Sequence, residues 1–252
     1  MGQWSRGIGG VALSGLLAAT ACGGAAGSGT PKDSAAVGAD AAPGGAASGA
    51  IPAAARAPLR VLFVGTSLTA GLGVDPDSAY PAVLQRTADS AGVPITVVNA
   101  GVSGETSAGA LRRIDWVLRE PVDVLVLETG ANDGLRALRV DSTRANLEAI
   151  LTRTRQAHPS ARLVLVQMEA PPNLGAEYTG RFRSMFPEVA RATGAALTPF
   201  LLDSVAGVAR LNQPDGIHPN EEGARRVART VWATLRPVLD SSLAARGRAG
   251  GA

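Results

Sequence analysis

RVLFVGTSLTAGLG, residues 60–73, is the stretch that decides the fold of this chain. The strand-forming residues 61–64 run into Gly65, and the polar residues 66–69 then enter a turn. An α/β sheet presents a reactive group in this way, at the carboxyl end of a strand. We therefore predict that Ser67 is a nucleophile; the alternative role for a serine at this point is a helix N-cap. The hypothesis requires a base, an orienting group and an oxyanion site elsewhere in the chain.

Strand and helix patterns alternate from Leu59 onward. The predicted strands are 59–64, 95–99, 122–127, 163–167 and 196–199. The predicted helices are 80–91, 107–118, 141–157, 181–192 and 221–239. This alternation is typical of a parallel sheet with helices on both faces, and right-handed crossovers then produce a three-layer α/β/α domain.

Composition limits the possible classes of function. The chain has 252 residues, of which 46% are hydrophobic, enough for one core, and a formal charge of only +3. Its basic residues are almost all arginine, are spread along the chain, and never form a block interleaved with aromatic residues. The sequence therefore lacks the basic patch typical of nucleic-acid-binding proteins, and we expect no nucleic-acid partner.

The N-terminus has the features of an export signal. Arg6 supplies a positive charge, and the apolar run 8–21 is shorter than the roughly 20 residues that a membrane span needs. It ends in Ala-Thr-Ala-Cys, which resembles a bacterial lipobox although Ala19 stands where leucine is usual. We predict a signal peptide over 1–21 and lipidation of Cys22, the only cysteine. The alternative is an ordinary signal cleaved after Ala21.

The segments on either side of the predicted domain differ from it in composition. Residues 22–58 are rich in Ala, Gly, Ser and Pro without apolar periodicity, which predicts a disordered tether with a coil span of about 30–35 Å. The folded domain is predicted over 59–240, followed by a disordered polar tail over 241–252.

A second chemical motif precedes the last predicted helix. The sequence DGIHPN contains Asp215 and, three residues later, His218, one of only two histidines. Across a turn with Gly216, the carboxylate can fold back onto the imidazole, whose other nitrogen would face the serine. The alternative is a turn-forming aspartate beside a histidine that merely precedes a helix. His158, in a helix-to-strand turn, is best explained as a solvated loop residue.

Two turns after strands carry candidate oxyanion donors. NAGVSGET follows the second strand and contains Gly104, whose backbone N–H can approach a ligand closely. ETGANDG follows the third strand and contains Asn132, whose amide can donate to a developing alkoxide. Ordinary turn chemistry explains each motif separately. Their common position after strands favours one shared site.

These motifs together resemble the SGNH (GDSL-type) hydrolases. Four blocks occur in the family's order: GTSLTAG with Ser67, NAGVSGET with Gly104, GAND with Asn132, and DGIHPN with Asp215 and His218. The resemblance covers residues 59–239. The sequences ETGANDGLRA, PPNLGAEY and PFLLDSVA are similar to the bacterial arylesterase, acyl-CoA thioesterase I and lysophospholipase branch.

The resemblance implies a flavodoxin-like fold with five parallel strands, and it implies roles for the site residues. Ser67 is then the nucleophile, His218 the base and Asp215 its orienting group. The backbone N–H groups of Ser67 and Gly104 and the side chain of Asn132 form the oxyanion hole. No metal and no cofactor is implied.

One position departs from the family pattern. The first block normally reads Gly-Asp-Ser-Leu, whereas this chain has Thr66 in place of the aspartate. We expect activity to survive; the properties that Thr66 leaves open are the anchoring of the loop around Ser67 and the pH profile. GTSLT also lacks the second glycine of a G-x-S-x-G elbow and the G-K-[ST] of a P-loop, which argues against an ordinary α/β-hydrolase and against nucleotide binding.

The expected function is hydrolysis of carboxylic ester or thioester bonds through an acyl-enzyme. Alternatives are a carbohydrate O-deacetylase of the same fold and a catalytically silent lipid-binding lipoprotein. The segments 134–138 (GLRAL) and 171–178 (PPNLGAEY) are candidates for the acyl groove, or else simple packing loops. We expect a monomer with a small-molecule or lipid acyl ester as substrate. It would be exported to the periplasm or cell envelope, with a lipid anchor holding it to a membrane.

Overall fold

The structure is a computed structural model that describes residues 57–249. The predicted signal peptide over 1–21, the lipidation site Cys22 and almost all of the predicted tether lie outside the described residues. So do the last three residues of the chain.

Five parallel strands form one sheet, in the order β2-β1-β3-β4-β5. They are β1 Leu59–Gly65, β2 Ile95–Gly101, β3 Val124–Glu128, β4 Arg162–Gln167 and β5 Ala196–Phe200. The predicted five-stranded parallel sheet is therefore confirmed. The chain moves outward from β1 to β2 and then returns to the other side of β1, so a crevice opens beyond the carboxyl ends of β1 and β3.

Seven α-helices lie within residues 57–249, and they pack in two layers around the sheet. They are α1 Ser67–Ala70, α2 Tyr80–Ser90, α3 Ser107–Val117, α4 Ala131–Leu135, α5 Val140–Ala157, α6 Ala176–Thr193 and α7 Glu221–Ala249. Helix α2 packs against α7, while α3, α5 and α6 pack side by side in the other layer. None of these helices is long and apolar enough to cross a membrane.

The central strands are buried on both faces. All residues of β3 are buried, and in β1 only Arg60 is partly exposed. Strands in the middle of a parallel sheet are covered by helices on both sides, which explains why their sequences are continuous apolar runs rather than alternating ones. The one charged residue in β3 is Glu128, at its carboxyl end, and it is also fully buried.

The prediction of a disordered tail is wrong for residues 241–249, because α7 continues to Ala249. Leu239 is fully buried and Leu243, one helical turn later, packs against the core. Arg246 then pairs with Asp123 and donates a hydrogen bond to the carbonyl of Ala57 at 2.9 Å. The apolar spacing of four residues continues the helix past the point where the composition becomes polar.

Two short helices were not predicted from the sequence. Helices α1 and α4 each contain about one turn, directly after β1 and β3, and are too short to show an apolar period. Helix α6 begins at Ala176, five residues before the predicted start at 181. Its first turn follows Gly175, whose φ of +84° turns the chain into the helix.

Candidate active site

Ser67 lies at the junction between β1 and α1, at the carboxyl edge of the sheet. It is the first residue of α1, whereas Thr66 occupies the N-cap position with extended backbone angles. The Ser67 side chain is therefore not a helix cap. Only 9% of Ser67 is exposed, and its hydroxyl lies within hydrogen-bonding distance of His218.

The structure brings Ser67, His218 and Asp215 into one hydrogen-bonded row. His218 Nε2 lies 2.8 Å from Ser67 Oγ, and His218 Nδ1 lies 2.6 Å from Asp215 Oδ2. A carboxylate can only accept, so Nδ1 carries the hydrogen, and the neutral imidazole leaves Nε2 free to accept from the serine hydroxyl. This is the geometry that a serine needs to lose its proton during attack on a carbonyl.

Asp215 is held as a carboxylate by the turn around it. Its Oδ1 accepts the backbone N–H groups of Ile217 at 2.9 Å and His218 at 3.0 Å. The hydrogen bonds from the backbone and the ring of His218, together with the bond from the Ile217 backbone, lower the pKa of Asp215 to about 2. The carboxylate therefore stays charged near neutral pH, where it can orient His218 as a base.

Gln213 connects the histidine loop to the serine loop. Its side-chain amide donates to the Leu72 carbonyl at 2.7 Å and to the Pro219 carbonyl at 3.0 Å. Its backbone N–H donates to the His218 carbonyl at 2.7 Å. Gly73, where the two loops meet, has a φ of +78°, which favours glycine, and a Cβ there would displace the end of the Gln213 side chain.

The three predicted oxyanion donors line the same groove as the row. Ser67, Gly104 and Asn132 all contribute to its wall. Gly104 has a φ of +75°, which favours glycine, and its carbonyl accepts from Arg136 at 3.1 Å. One Nδ2 hydrogen of Asn132 is held by the Glu105 carbonyl at 3.1 Å, and the other has no acceptor among residues 57–249. This arrangement fits a donor set for a developing oxyanion.

Asp133, next to Asn132, joins three parts of the site. Its buried carboxylate accepts from the Ser107 backbone N–H at 2.8 Å and the Ser107 hydroxyl at 2.6 Å. It also accepts from the Thr143 hydroxyl at 3.1 Å. The loop that carries Gly104 is thus tied to the turn that carries Asn132.

Glu128 forms a second buried cluster, behind Ser67. It accepts the Thr66 N–H at 2.9 Å, the Thr66 hydroxyl at 3.0 Å and the Thr69 hydroxyl at 2.8 Å. Burial raises the pKa of Glu128 to about 7, while the donors from the two threonines act in the opposite direction. Thr66 thus anchors the serine loop by donating to a carboxylate.

The groove beside Ser67 has a volume of about 570 Å³ and is mostly apolar. Its apolar walls include Leu68, Leu72, Leu135, Met168, Pro171 and Phe200. From the two segments proposed for an acyl groove, Leu135, Pro171 and Pro172 line it. Tyr178 does not; its hydroxyl instead donates to the Leu138 carbonyl at 2.7 Å and joins the two segments.

His158 lies away from the site, whereas Glu128 and Asp133 belong to it although the sequence analysis did not predict a role for them. His158 is partly buried at the opposite edge of the sheet, with Nε2 at 3.0 Å from the Leu118 carbonyl, so it is not the solvated residue we expected. Glu128 and Asp133 were not identified. An acidic residue that ends a wholly apolar strand, as in VLVLE, was the signal for Glu128. Within residues 57–249, no three His, Cys, Asp or Glu side chains form a metal-binding group.

A serine, a histidine and an aspartate in a hydrogen-bonded row define the class of serine hydrolases. Comparison with known proteins agrees with this class. The model of the GDSL-like lipase/acylhydrolase family matches residues 63–226. The chain therefore belongs to the GDSL-like lipase/acylhydrolase family, and it is a hydrolase of ester or thioester bonds.

Among curated proteins, the chain is similar to esterase TesA of Pseudomonas aeruginosa, with 38% identity over 71% of this chain and 89% of the relative. It is 34% identical to thioesterase 1/protease 1/lysophospholipase L1 of Escherichia coli K12, over 71% of this chain and 85% of the relative. The crystal structure of TesA has a TM-score of 0.68 at 37% identity, covering 71% of this chain and 99% of that one. The resemblance inferred from the four sequence blocks is confirmed.

Proposed function

We propose that the protein hydrolyses esters and thioesters of acyl chains through an acyl-enzyme on Ser67. One observation carries the proposal: the row Ser67–His218–Asp215 opens onto an apolar groove that three oxyanion donors also line. A nucleophile, its base and an oxyanion site within one groove are what acyl transfer requires.

The proposed reaction has two steps. His218 Nε2 takes the Ser67 proton as Oγ attacks the carbonyl carbon, and Asp215 stabilises the imidazolium that forms. The carbonyl oxygen becomes an oxyanion held by the N–H groups of Ser67 and Gly104 and by the Asn132 amide. His218 then protonates the leaving alcohol or thiol. Water, activated by the same histidine, releases the acyl group from Ser67.

The groove favours an acyl chain as the substrate. Its apolar walls include Leu72, Leu135 and Met168, and the titratable side chains among its lining residues are Glu169 and His218. Burial of a hydrocarbon chain against an apolar wall favours binding by roughly 0.8 kcal/mol per methylene. A sugar in the same groove would leave its hydroxyls without hydrogen-bond partners. This supports the acyl esterase over the carbohydrate deacetylase. The hydrogen-bonded row also speaks against a silent lipid-binding protein.

The test of the assignment is the hydrolysis of p-nitrophenyl esters of increasing chain length by the Ser67→Ala variant. We expect kcat to fall by about 10³-fold or more, because the nucleophile is lost. Wild-type turnover in a folded variant would contradict the assignment. A fluorophosphonate should label the wild type at Ser67 and leave Ser67→Ala unlabelled. An esterase from Pseudoalteromonas, 32% identical to this chain, has been solved in a form inhibited by monoethylphosphonate.

We propose further that the enzyme is exported, acts as a monomer in the cell envelope and is anchored by a lipid on Cys22. The lipobox-like sequence before this cysteine supports the anchor, and the Ala/Gly-rich composition after it supports a tether that would give the domain reach. Mass spectrometry of membrane fractions should find a mature chain that begins at a diacylated Cys22. An unmodified mature N-terminus would exclude the anchor and leave export intact.

A further inference from the structure

Glu128 has no step in the proposed reaction, although it lies behind the nucleophile. It ends β3, is fully buried, and is held by groups from a different element, the turn after β1. Burying a carboxylate is costly unless hydrogen bonds satisfy it, so this residue needs a reason to be there. A purely structural position at the end of a buried strand would be filled at lower cost by an apolar residue.

The hydrogen bonds around Glu128 all point toward its carboxylate. The Thr66 N–H and hydroxyl and the Thr69 hydroxyl are its donors. Because the Thr69 hydrogen is used in this way, the Tyr80 hydroxyl at 2.9 Å must donate to Thr69 Oγ1. Tyr80 is itself buried, edge-on against the Phe63 ring with centroids 5.8 Å apart. The hydrogen bonds therefore run from Tyr80 through Thr69 to Glu128, and the packing of the buried Tyr80 ring fixes the far end.

The two threonines stand on either side of Ser67. Thr66 precedes it, and Thr69 is two residues further along the single turn of α1. Fixing the peptide of Thr66 and the side chain of Thr69 fixes the rotation of α1. That rotation sets the directions of the Ser67 N–H and of Oγ, the two groups that acyl transfer uses. Gly65 completes the fit, because a Cβ there would lie 2.0 Å from Thr69 Oγ1 and 2.8 Å from Glu128 Oε2.

We propose that Glu128 is a positioning residue for the nucleophile, acting through Thr66 and Thr69 on either side of Ser67. Thr66, which stands where the family motif has an aspartate, is the donor that fits this carboxylate. An aspartate at the same place would bring a second carboxylate against Glu128, and the two would have to share a proton. The inference rests on the proposed function, since it assumes that Ser67 is the nucleophile.

The test separates positioning from stability by comparing two substitutions of Thr66. Thr66→Val keeps the shape and removes the hydroxyl donor, whereas Thr66→Ser keeps the donor. With p-nitrophenyl butyrate as substrate, we expect Thr66→Val to lower kcat by about fivefold to tenfold with KM within twofold. Thr66→Ser should restore kcat to within about threefold of wild type. Glu128→Gln should lower kcat by about tenfold or more, because the amide lacks the charge and replaces one of the two acceptor oxygens with an NH2 donor.

The matched control is Thr154→Val. Thr154 is fully buried in α5 and donates to the Ile150 carbonyl at 2.9 Å, so this variant also removes a buried threonine hydroxyl. It lies in none of the contacts of the site, and its kcat should equal that of wild type. The rate of fluorophosphonate labelling of Ser67 gives a second readout, which should fall in Thr66→Val and Glu128→Gln but stay unchanged in Thr154→Val.

Three results would overturn the positioning role. They are a wild-type kcat in folded Thr66→Val, an equal loss of kcat in Thr66→Ser and Thr66→Val, or a change confined to KM. If Glu128→Gln does not fold, the two Thr66 variants still decide the question. A wrong assignment of Ser67 as the nucleophile would give a different result, namely wild-type turnover by Ser67→Ala. The two failures can therefore be told apart.

Discussion

Glu128 is the residue whose titration should be visible in the stability of the whole domain. Its pKa of about 7 in the fold lies above its usual value of 4.5, so the folded protein binds this proton more tightly than the unfolded chain. Its stabilising contribution is complete below pH 4.5 and is lost as the pH rises through 7. The other titratable group in direct contact with its cluster, Tyr80, has a pKa raised by burial and stays neutral over this range.

We predict that the free energy of unfolding contains a decrease of about 3 kcal/mol between pH 4.5 and 7 that is due to Glu128. Glu128→Gln should lack that decrease. Urea unfolding of both proteins at several pH values in this window measures the difference. Parallel pH profiles for the two proteins would mean that Glu128 titrates normally in the fold.

Asn132 allows the oxyanion role to be tested at a single side chain. Asn132→Ala removes the amide that faces the groove, and we expect kcat to fall by about 10²-fold to 10³-fold with little change in KM, because this donor acts on the transition state. Steady-state kinetics on a short p-nitrophenyl ester measures it. A change mainly in KM would instead assign Asn132 to substrate binding.

Among the elements, the junction between β1 and α1 is tightly packed. Strand β1 ends at Gly65, and the chain must turn at once into α1 while Thr69 and Glu128 meet against that glycine. The backbone angle of Gly65 is not in the left-handed region, so only the lack of room excludes a side chain. The same crowding explains how a helix of one turn can hold a fixed orientation.

We predict that Gly65→Ala lowers the free energy of unfolding by about 1–3 kcal/mol, because the added methyl group must displace Thr69 or Glu128. The loss of activity should exceed what the smaller folded fraction explains. Gly180→Ala in α6 is the control. Its Cβ meets no atom within 4 Å, so it should stabilise the helix by about 0.5–1 kcal/mol. Thermal and urea unfolding compare the two variants, and equal stabilities would contradict the steric argument.

At the scale of the whole molecule, the site and the ion pair at the end of α7 lie at opposite edges of the sheet. The site occupies the carboxyl edge. The end of α7 reaches the amino edge, where Arg246 pairs with Asp123, which in turn accepts the Arg60 N–H at 2.7 Å. The last turns of α7 therefore hold the start of β1 and the loop before β3 together.

Deleting residues 241–252 should lower the free energy of unfolding by about 1–3 kcal/mol, through loss of the Leu243 packing and the Arg246 ion pair. The kcat per folded molecule should be unchanged, because none of residues 241–249 lines the groove. Chemical denaturation combined with active-site titration measures both quantities. A truncated protein as stable as the full chain would mean that the end of α7 only covers the surface.

The sequence predicted the features that depend on local patterns and missed those that depend on distant contacts. The five strands and the motifs around Ser67, Gly104, Asn132 and His218 are written in short stretches, with periods or turn residues that can be recognised. The hydrogen bonds between Glu128 and Thr66 join residues that are 62 positions apart. The helical tail does follow a local apolar spacing, through Leu239 and Leu243, but its polar composition hid that pattern. Its ion pair could not be predicted, because Arg246 finds its partner 123 positions away.

The distance along the chain between Ser67 and His218, 151 positions, has a consequence for the newly made protein. The serine emerges early, and its base emerges only when the domain is nearly complete. Gln213, which links the two loops, arrives with the base and 141 positions after its acceptor, Leu72. A chain that has emerged only as far as Gln213 therefore has its nucleophile but lacks both His218 and Asp215. The order of synthesis alone therefore keeps the nucleophile without its base until residue 218, just before the last helix, has been made.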